Sequence, residues 1–199
     1  MRLPALLLAL LVAACGGRDA LVAKPDEALV VFIRPGMISS TGAYQPTYGI
    51  ERPVSVHDVS AGIPGRLVGQ IGISEKIAYA VKPGRHRFVV LGTRTGDVLE
   101  ANVQAGKTYY AVIFRELPKM TQNPMLAIYT VRPVRASALD RREVAHWVRD
   151  TSLVKGADDG GRAAPRAGTE SQLQRQNQLW ENRTPAERAA KTLRASDGH

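Results

Sequence analysis

Hydrophobic positions alternate with a period of two over most of the first two thirds of the chain. Residues 28–33 form an apolar, β-branched run that ends at Arg34, Pro35 and Gly36. Such a run predicts a strand that is buried on both faces and central in its sheet. Seven further segments have alternating or apolar patterns at intervals of about ten residues: 54–57, 66–71, 77–81, 85–94, 97–104, 107–115 and 125–131. Because no helical period separates them, the pattern predicts a mainly β protein, an antiparallel β-sandwich of about eight strands.

Turn residues punctuate these segments. Pro83 and Gly84 suit the two central positions of a type II turn, the second of which requires a positive φ. Residues 37–53 are rich in Gly, Ser, Thr, Tyr and Pro and predict a long loop that carries Tyr44 and Tyr48. Long loops in compact domains are frequent binding sites. Tyr44 and Tyr48, together with His57 and Asp58 at the end of the second strand, are therefore a candidate binding surface.

The last third of the chain has a different pattern. Residues 139–150 carry an apolar stripe that includes Trp147, which predicts one helix packed on the sandwich. Residues 156–199 are polar and predict a flexible linker followed by a partly helical tail, with a capping box at 184–187 that begins a short helix. Two interpretations of this tail stay open. It is disordered, or it binds a partner through a motif centred on Leu179 and Trp180.

The N-terminus contains the only cysteine of the chain. Arg2 is followed by an apolar run, residues 3–11, and then by the small residues Val12, Ala13 and Ala14 before Cys15. The apolar run has about a dozen residues, whereas a membrane-spanning helix needs about 20. Residues 1–14 therefore predict a cleaved export signal.

The residues around Cys15 resemble the bacterial lipobox, in which the cysteine is acylated and becomes the first mature residue. The resemblance implies a lipid anchor at Cys15. The polar residues without apolar periodicity that follow predict a tether over 15–27, and the strand patterns after them predict a folded domain over 28–155. Gly16 after the cysteine implies sorting to the outer membrane. Two or three acyl chains hold a protein firmly on a bilayer. The alternative is cleavage by ordinary signal peptidase, which would release a soluble protein.

Catalytic and metal chemistry have little support in the sequence. His57, His86 and His146 provide candidate bases, but no Gly-x-Ser-x-Gly motif or other nucleophile context accompanies them. The histidines are not at metal-ligand spacing with other ligands, and a single cysteine excludes an intramolecular disulfide. We therefore predict no catalytic residues, no metal site and no cofactor. His86, which follows the Pro83–Gly84 turn, is predicted to order that turn.

Positive charge indicates the class of partner. The chain has 199 residues, 27 of them Lys or Arg and 18 Asp or Glu. Without Arg2 of the signal peptide the net charge is +8. An exported basic domain without a recognition motif is not expected to bind nucleic acid. Anionic envelope polymers, lipid headgroups or an envelope protein are the predicted partners, and a generally basic surface without a specific ligand is the alternative.

Several short motifs occur together in a recognisable order. These are Arg34-Pro35, a Val-x-Val-x-Asp hairpin at 54–58, Pro-Gly-x-His at 83–86 and Gly-Lys-x-Tyr-Tyr at 106–110. In this combination residues 28–135 resemble small bacterial lipoproteins built on a β-sandwich domain of unknown function. The Pro-Gly-x-His turn alone is similar to PEGA-type modules. The resemblance implies the fold and an envelope location, and it implies no reaction.

The sequence thus predicts a lipid-anchored envelope protein that binds or scaffolds without catalysis. Two alternatives remain. One is a soluble periplasmic accessory module of an export or surface assembly, and the other is an envelope hydrolase.

Overall fold

The structure of the chain is a computed structural model. It describes residues 21–36, 52–116, 128–161 and 167–199, except for the side chains of residues 138–141 and 159. Cys15, Tyr44 and Tyr48 lie outside the described residues. The predicted signal peptide over 1–14 lies outside them as well.

Strands dominate the described residues. Eight longer strands are β1 (Ala28–Arg34), β2 (Val54–Asp58), β3 (Arg66–Ile71), β4 (Glu75–Val81), β5 (Gly84–Leu91), β6 (Gly96–Val103), β7 (Thr108–Glu116) and β8 (Ile128–Pro133). The C-terminal elements are α1 (Ala138–Asp150), β9 (Ser152–Leu153), α2 (Thr169–Glu181), α3 (Pro185–Ala190) and β10 (Thr192–Leu193), with short 3-10 helices at Ala157–Asp159 and Ala195–Asp197. The eight predicted strands and the helix over 139–150 are confirmed. Gly84 has the predicted positive φ, 135°.

The strands form two five-stranded sheets that pack face to face as a β-sandwich. Sheet A has the order β8-β7-β1-β4-β9, and sheet B has the order β10-β6-β5-β2-β3. Inward-facing side chains of all eight longer strands make up one core. Phe32 of β1 and Phe88 of β5 meet in its centre with an edge-to-face contact at 5.2 Å between ring centroids. The central position predicted for β1 is confirmed.

Both sheets are mixed, which differs from the antiparallel arrangement predicted. β1 pairs with β7 in parallel, and the short strands β9 and β10 join β4 and β6 in parallel. Side chains alternate in the same way in parallel and antiparallel strands. The alternation therefore predicts which face of the sheet each side chain occupies, but it does not predict the relative direction of neighbouring strands. β1 and β7 are far apart in the chain and are joined through the strands between them, so no hairpin forces them to run antiparallel.

The outer face of sheet A is covered by α1. Trp147 of α1 packs edge-to-face on Phe114 of β7, with 5.8 Å between ring centroids, as the sequence predicts for the anchor of this helix. Lys76 of β4 is buried there, and its ammonium donates to the carbonyl oxygens of Val148 and Thr151. The α1–β9 connection is thereby tied to the sheet.

The C-terminal segment, residues 167–199, differs from the flexible tail that the sequence predicts. α2 lies across the outer face of sheet B, where Leu173 and Trp180 are fully buried against Val89, Leu91 and Val98. β10 then extends sheet B beside β6, and the backbones of His199 and Thr108 exchange two hydrogen bonds. The segment folds because sheet B supplies the apolar surface that the segment itself lacks. The capping box at Thr184 and Glu187 is confirmed.

The predicted tether is also partly packed. Leu21 lies against the apolar cluster on the outer side of sheet A, and its carbonyl oxygen accepts a hydrogen bond from Thr108 Oγ1 at 3.0 Å. The described part of the 15–27 segment therefore belongs to the folded domain. Among the described residues, none of the helices combines the length and the apolar composition needed to cross a bilayer.

Candidate functional site

His57 and Asp58, which the sequence places on a candidate binding surface, have different surroundings. His57 is only 3% exposed, so it is not part of the surface, and its Nε2 lies 3.0 Å from Ser55 Oγ. A β-bulge between Val56 and His57 interrupts the strand there, and α2 covers that face of the sheet. Burial lowers the pKa of His57 to about 4, which makes the ring neutral near pH 7. Asp58 is half-buried and accepts hydrogen bonds from the backbone and hydroxyl of Ser60, as in an Asx turn.

Leu179 and Trp180, the candidate partner motif, lie on different faces of α2. Leu179 is 52% exposed, whereas Trp180 is fully buried. Trp180 Nε1 donates to Glu100 Oε1 at 3.1 Å, and the guanidinium groups of Arg87 and Arg183 lie over the indole ring. Trp180 therefore holds α2 on sheet B. In this fold a partner can contact Leu179 but not Trp180, so the two residues do not form one binding motif.

Asp97 joins the C-terminal segment to both sheets. Its buried carboxylate accepts hydrogen bonds from the Val98 and Val131 backbone amides at 2.9 and 3.0 Å. It also pairs with Arg183, at 2.8 Å, and with Lys191. Nothing in the local sequence around Asp97 reveals this role, because its two cationic partners follow more than 80 residues later.

Docking of the C-terminal segment creates a groove that the sequence does not predict. One wall consists of β5 and β6 with Arg85, Arg87 and Glu100, and the other wall consists of α3 and the residues around β10, with Arg188 and Arg194. The groove has a volume of about 430 Å³. We call this site the arginine groove. It brings together basic residues from positions 85–87 and 188–194, which are distant in the chain.

The arginines of the groove differ in how firmly they are held. Arg87 is half-buried and bonds to Glu100 at 2.9 Å and to Glu181 at 2.7 Å. Burial lowers the pKa of Arg87, but the hydrogen bonds to Glu100 and Glu181 outweigh burial and raise it above its usual value. Arg85, in contrast, is 84% exposed and reaches Glu100 only at 3.9 Å. Its guanidinium is therefore available for a ligand.

Arg188 and Arg194 are the other two arginines that line the groove. Arg188 lies 3.9 Å from Glu181, and its side chain is 38% exposed. Arg194 is exposed. A guanidinium binds phosphate or carboxylate oxygens through two parallel hydrogen bonds, and exposed arginines can reorient to do so. The arginine groove therefore suits an anionic ligand with oxygen acceptors.

A second part of the groove continues beside α2, and it shares Arg85, Arg87 and Glu100 with the first. His86 lies there, and its Nε2 donates to the Lys82 carbonyl oxygen at 2.8 Å. This hydrogen bond confirms that His86 orders the turn before β5. The shared residues make one continuous surface, which fits an extended ligand better than a single small anion.

Ser60 contacts His86 in this part of the groove, with 3.3 Å between Ser60 Oγ and His86 Nδ1. A serine next to a histidine is one half of a hydrolytic site. Here, however, the Ser60 hydroxyl donates to Asp58 at 2.5 Å, and its oxygen accepts the Arg87 backbone N–H at 3.0 Å. The hydroxyl proton is therefore directed to the carboxylate, which leaves the histidine without the close contact that a general base needs.

Metal ligands do not cluster within the described ranges, which contain no group of three His, Cys, Asp or Glu side chains able to hold an ion. No protein-family model matches the chain, and no curated protein matches it. The arginine groove is thus the strongest candidate site among the described residues.

Proposed function

We propose that this chain is a lipid-anchored protein of the bacterial cell envelope, and that its β-sandwich domain binds a phosphate-bearing envelope polymer without catalysing a reaction. The arginine groove is the observation that carries the proposal. It has two exposed cations, Arg85 and Arg194, and it continues along α2 as an extended surface. The lipobox-like sequence before Cys15 supports the location.

Phosphate is the favoured anion because of the chemistry of the groove. Arginine, which supplies its cations, holds phosphate oxygens with a planar pair of donors. Arg87 is fixed in one wall by Glu100 and Glu181, while Arg85 and Arg188 have only long contacts, at 3.9 Å, with carboxylates and can reorient toward a ligand. A net charge of +8 on the mature chain attracts polyanions over a longer range.

The soluble accessory module retains less support. That alternative requires a partner for the tail, and Trp180 of the tail is buried on sheet B. The hydrolase has one favourable observation, the Ser60–His86 contact, which is opposed by the bonds of Ser60 to Asp58 and Arg87. Turnover of p-nitrophenyl acetate that is lost in Ser60→Ala would favour the hydrolase over the binding protein.

The anchor is tested by the intact mass and membrane fractionation of the chain expressed in a Gram-negative host, beside Cys15→Ser. We expect a membrane-bound product that begins at Cys15 and carries diacylglycerol and acyl chains, with both features lost in the variant. An unmodified, soluble product from both genes would contradict the anchor and favour the soluble module.

Ligand binding is tested with long-chain inorganic polyphosphate as the probe. Replacing Arg85, Arg188 and Arg194 by Gln should weaken binding at least about tenfold, because three charge-assisted contacts are lost. The matched control removes the same charge elsewhere, by Arg132→Gln, Arg149→Gln and Lys155→Gln together. Equal loss in the two triple variants would show that only total charge matters and would overturn the groove as the site.

A further inference from the structure

A second cavity lies at the other end of α2 from the arginine groove. It has a volume of about 520 Å³ and lies between the β2–β3 hairpin and the first turn of α2. Its lining is mostly apolar and includes Leu67 and Leu173, together with the imidazole of His57. A largely apolar cavity of this size with a single buried polar group is typical of sites for small molecules.

His57 has an unused hydrogen-bonding position at this cavity. The residue is 97% buried, since only 3% of its surface is exposed. Its Nε2 is engaged by Ser55 Oγ, whereas its Nδ1 has no hydrogen-bond partner among the described residues. Among the described residues, the fully enclosed side-chain atoms without a hydrogen bond are Glu27 Oε2 and Arg183 Nη1, so His57 Nδ1 keeps some accessible surface. A ligand group that pairs with it gains a hydrogen bond at a site largely shielded from bulk water. The imidazole is therefore the natural polar anchor of an occupant.

The charges around the cavity favour an uncharged occupant. The low pKa of His57 makes its ring neutral near pH 7. The amino end of α2 contributes a partial positive charge, but Glu170 in the first turn offsets it. An anion would meet the like charge of Glu170, and a cation placed against the apolar lining would lose its hydration for a partner, Glu170, that is exposed to solvent and therefore screened.

We propose that this cavity binds a small uncharged molecule that has an apolar body and a hydroxyl group bonded to His57 Nδ1. A hydroxyl group both donates and accepts, so it pairs with either tautomer of the ring. Leu67, which is half-buried, contacts the apolar body. The site is separate from the arginine groove and does not depend on an anionic ligand.

Phenol and toluene form a matched pair of probes, because they differ only in a hydroxyl in place of a methyl group. The full chain in lipid nanodiscs is titrated with each probe, and the shifts of the His57 ring nitrogens and of the Thr169 to Ser171 amides are followed by NMR. Partition of the probes into lipid is the same for every variant, so differences between variants report the cavity. We expect phenol to bind about fivefold more tightly than toluene, the effect of one hydrogen bond.

Two variants keep the test decisive. His57→Leu should bind both probes equally, and Leu67→Trp should fill the cavity and abolish binding of both, with the imidazole intact. His146→Leu, on α1 over the other sheet, is the control and should behave as the wild type. Absence of shifts at His57 and α2 with phenol, or phenol binding that survives Leu67→Trp, would overturn the proposal.

Discussion

Asp97 is the residue that most tightly couples the C-terminal segment to the sandwich. It accepts hydrogen bonds from β6 and β8 and pairs with two cations of the segment. A buried carboxylate is tolerated only where its charge is compensated in this way. Its partners are brought to it by tertiary structure, so a single substitution disturbs three elements at once.

Asp97→Asn should lower the free energy of unfolding by roughly 2–4 kcal/mol, because two partly buried cations lose their counter-charge. Urea unfolding measures the change. Glu116→Gln removes a carboxylate of the same type from the exposed pair with Arg132 and should cost less than about 1 kcal/mol. Similar losses in both variants would contradict the structural role of Asp97.

His57 makes stability depend on pH. Its pKa is about 4 in the folded protein against 6.5 for the free side chain, so the unfolded chain binds the proton more tightly. The resulting stabilisation is complete above pH 6.5 and is lost as the pH falls toward 4, about 3 kcal/mol in all. Urea unfolding at pH 7.5 and 4 should show this loss in the wild type.

His57→Gln supplies the comparison, because glutamine does not titrate in this range. The wild type should lose about 2–3 kcal/mol more than the variant over the same interval. If the two proteins lose equal stability, burial of a neutral imidazole is not the cause of the pH dependence.

At the scale of elements, α2 covers apolar side chains that β5 and β6 present on the outer face of sheet B. Residues 88–91 of β5, Phe-Val-Val-Leu, are all buried, so this strand has apolar side chains on both faces. One face enters the sandwich core, and the other requires a cover. This double-sided strand is the sequence signal that could have predicted the docking of the C-terminal segment.

Trp180 and Leu179 allow this packing to be tested with neighbouring residues. Trp180→Ala should destabilise the protein by about 3–5 kcal/mol, because it removes a fully buried indole from the cover of sheet B. Leu179→Ala should cost less than about 1 kcal/mol, since that side chain is half exposed. Thermal or urea unfolding measures both. A larger effect of the leucine would mean that α2 presents its other face to the sheet.

At the scale of the whole molecule, basic residues from distant parts of the chain come together in one groove only after folding. The basic residues are spread along the chain, with no dense block. Folding places Arg85 and Arg87 of β5 opposite Arg188 and Arg194, and the acidic residues Asp97 and Glu100 are largely covered by pairing. A surface of exposed arginines results from a charge distribution that is nearly even in sequence.

Salt should therefore weaken polyphosphate binding in proportion to the number of exposed groove arginines. Replacing Arg85, Arg188 and Arg194 by Gln should reduce the slope of log affinity against log salt concentration by about 2–3, since each lost phosphate contact removes slightly less than one released counterion. Titrations from low to moderate salt give the slope. The Arg132, Arg149 and Lys155 triple variant should keep the wild-type slope, and a reduced slope there would contradict local binding.

The sequence alone was sufficient for the strands, the first helix and the sandwich, because side-chain periodicity and turn residues act over short distances. The prediction of a lipid anchor at Cys15 likewise rests on a local pattern of residues. Only tertiary structure decided strand direction, the burial of His57 and Trp180, and the docking of residues 167–199 on sheet B. Each of these depends on a surface supplied from far along the chain, such as the apolar outer face of β5 or the carboxylate of Asp97. The arginine groove belongs to this second class, since its two walls meet only when the C-terminal segment is in place.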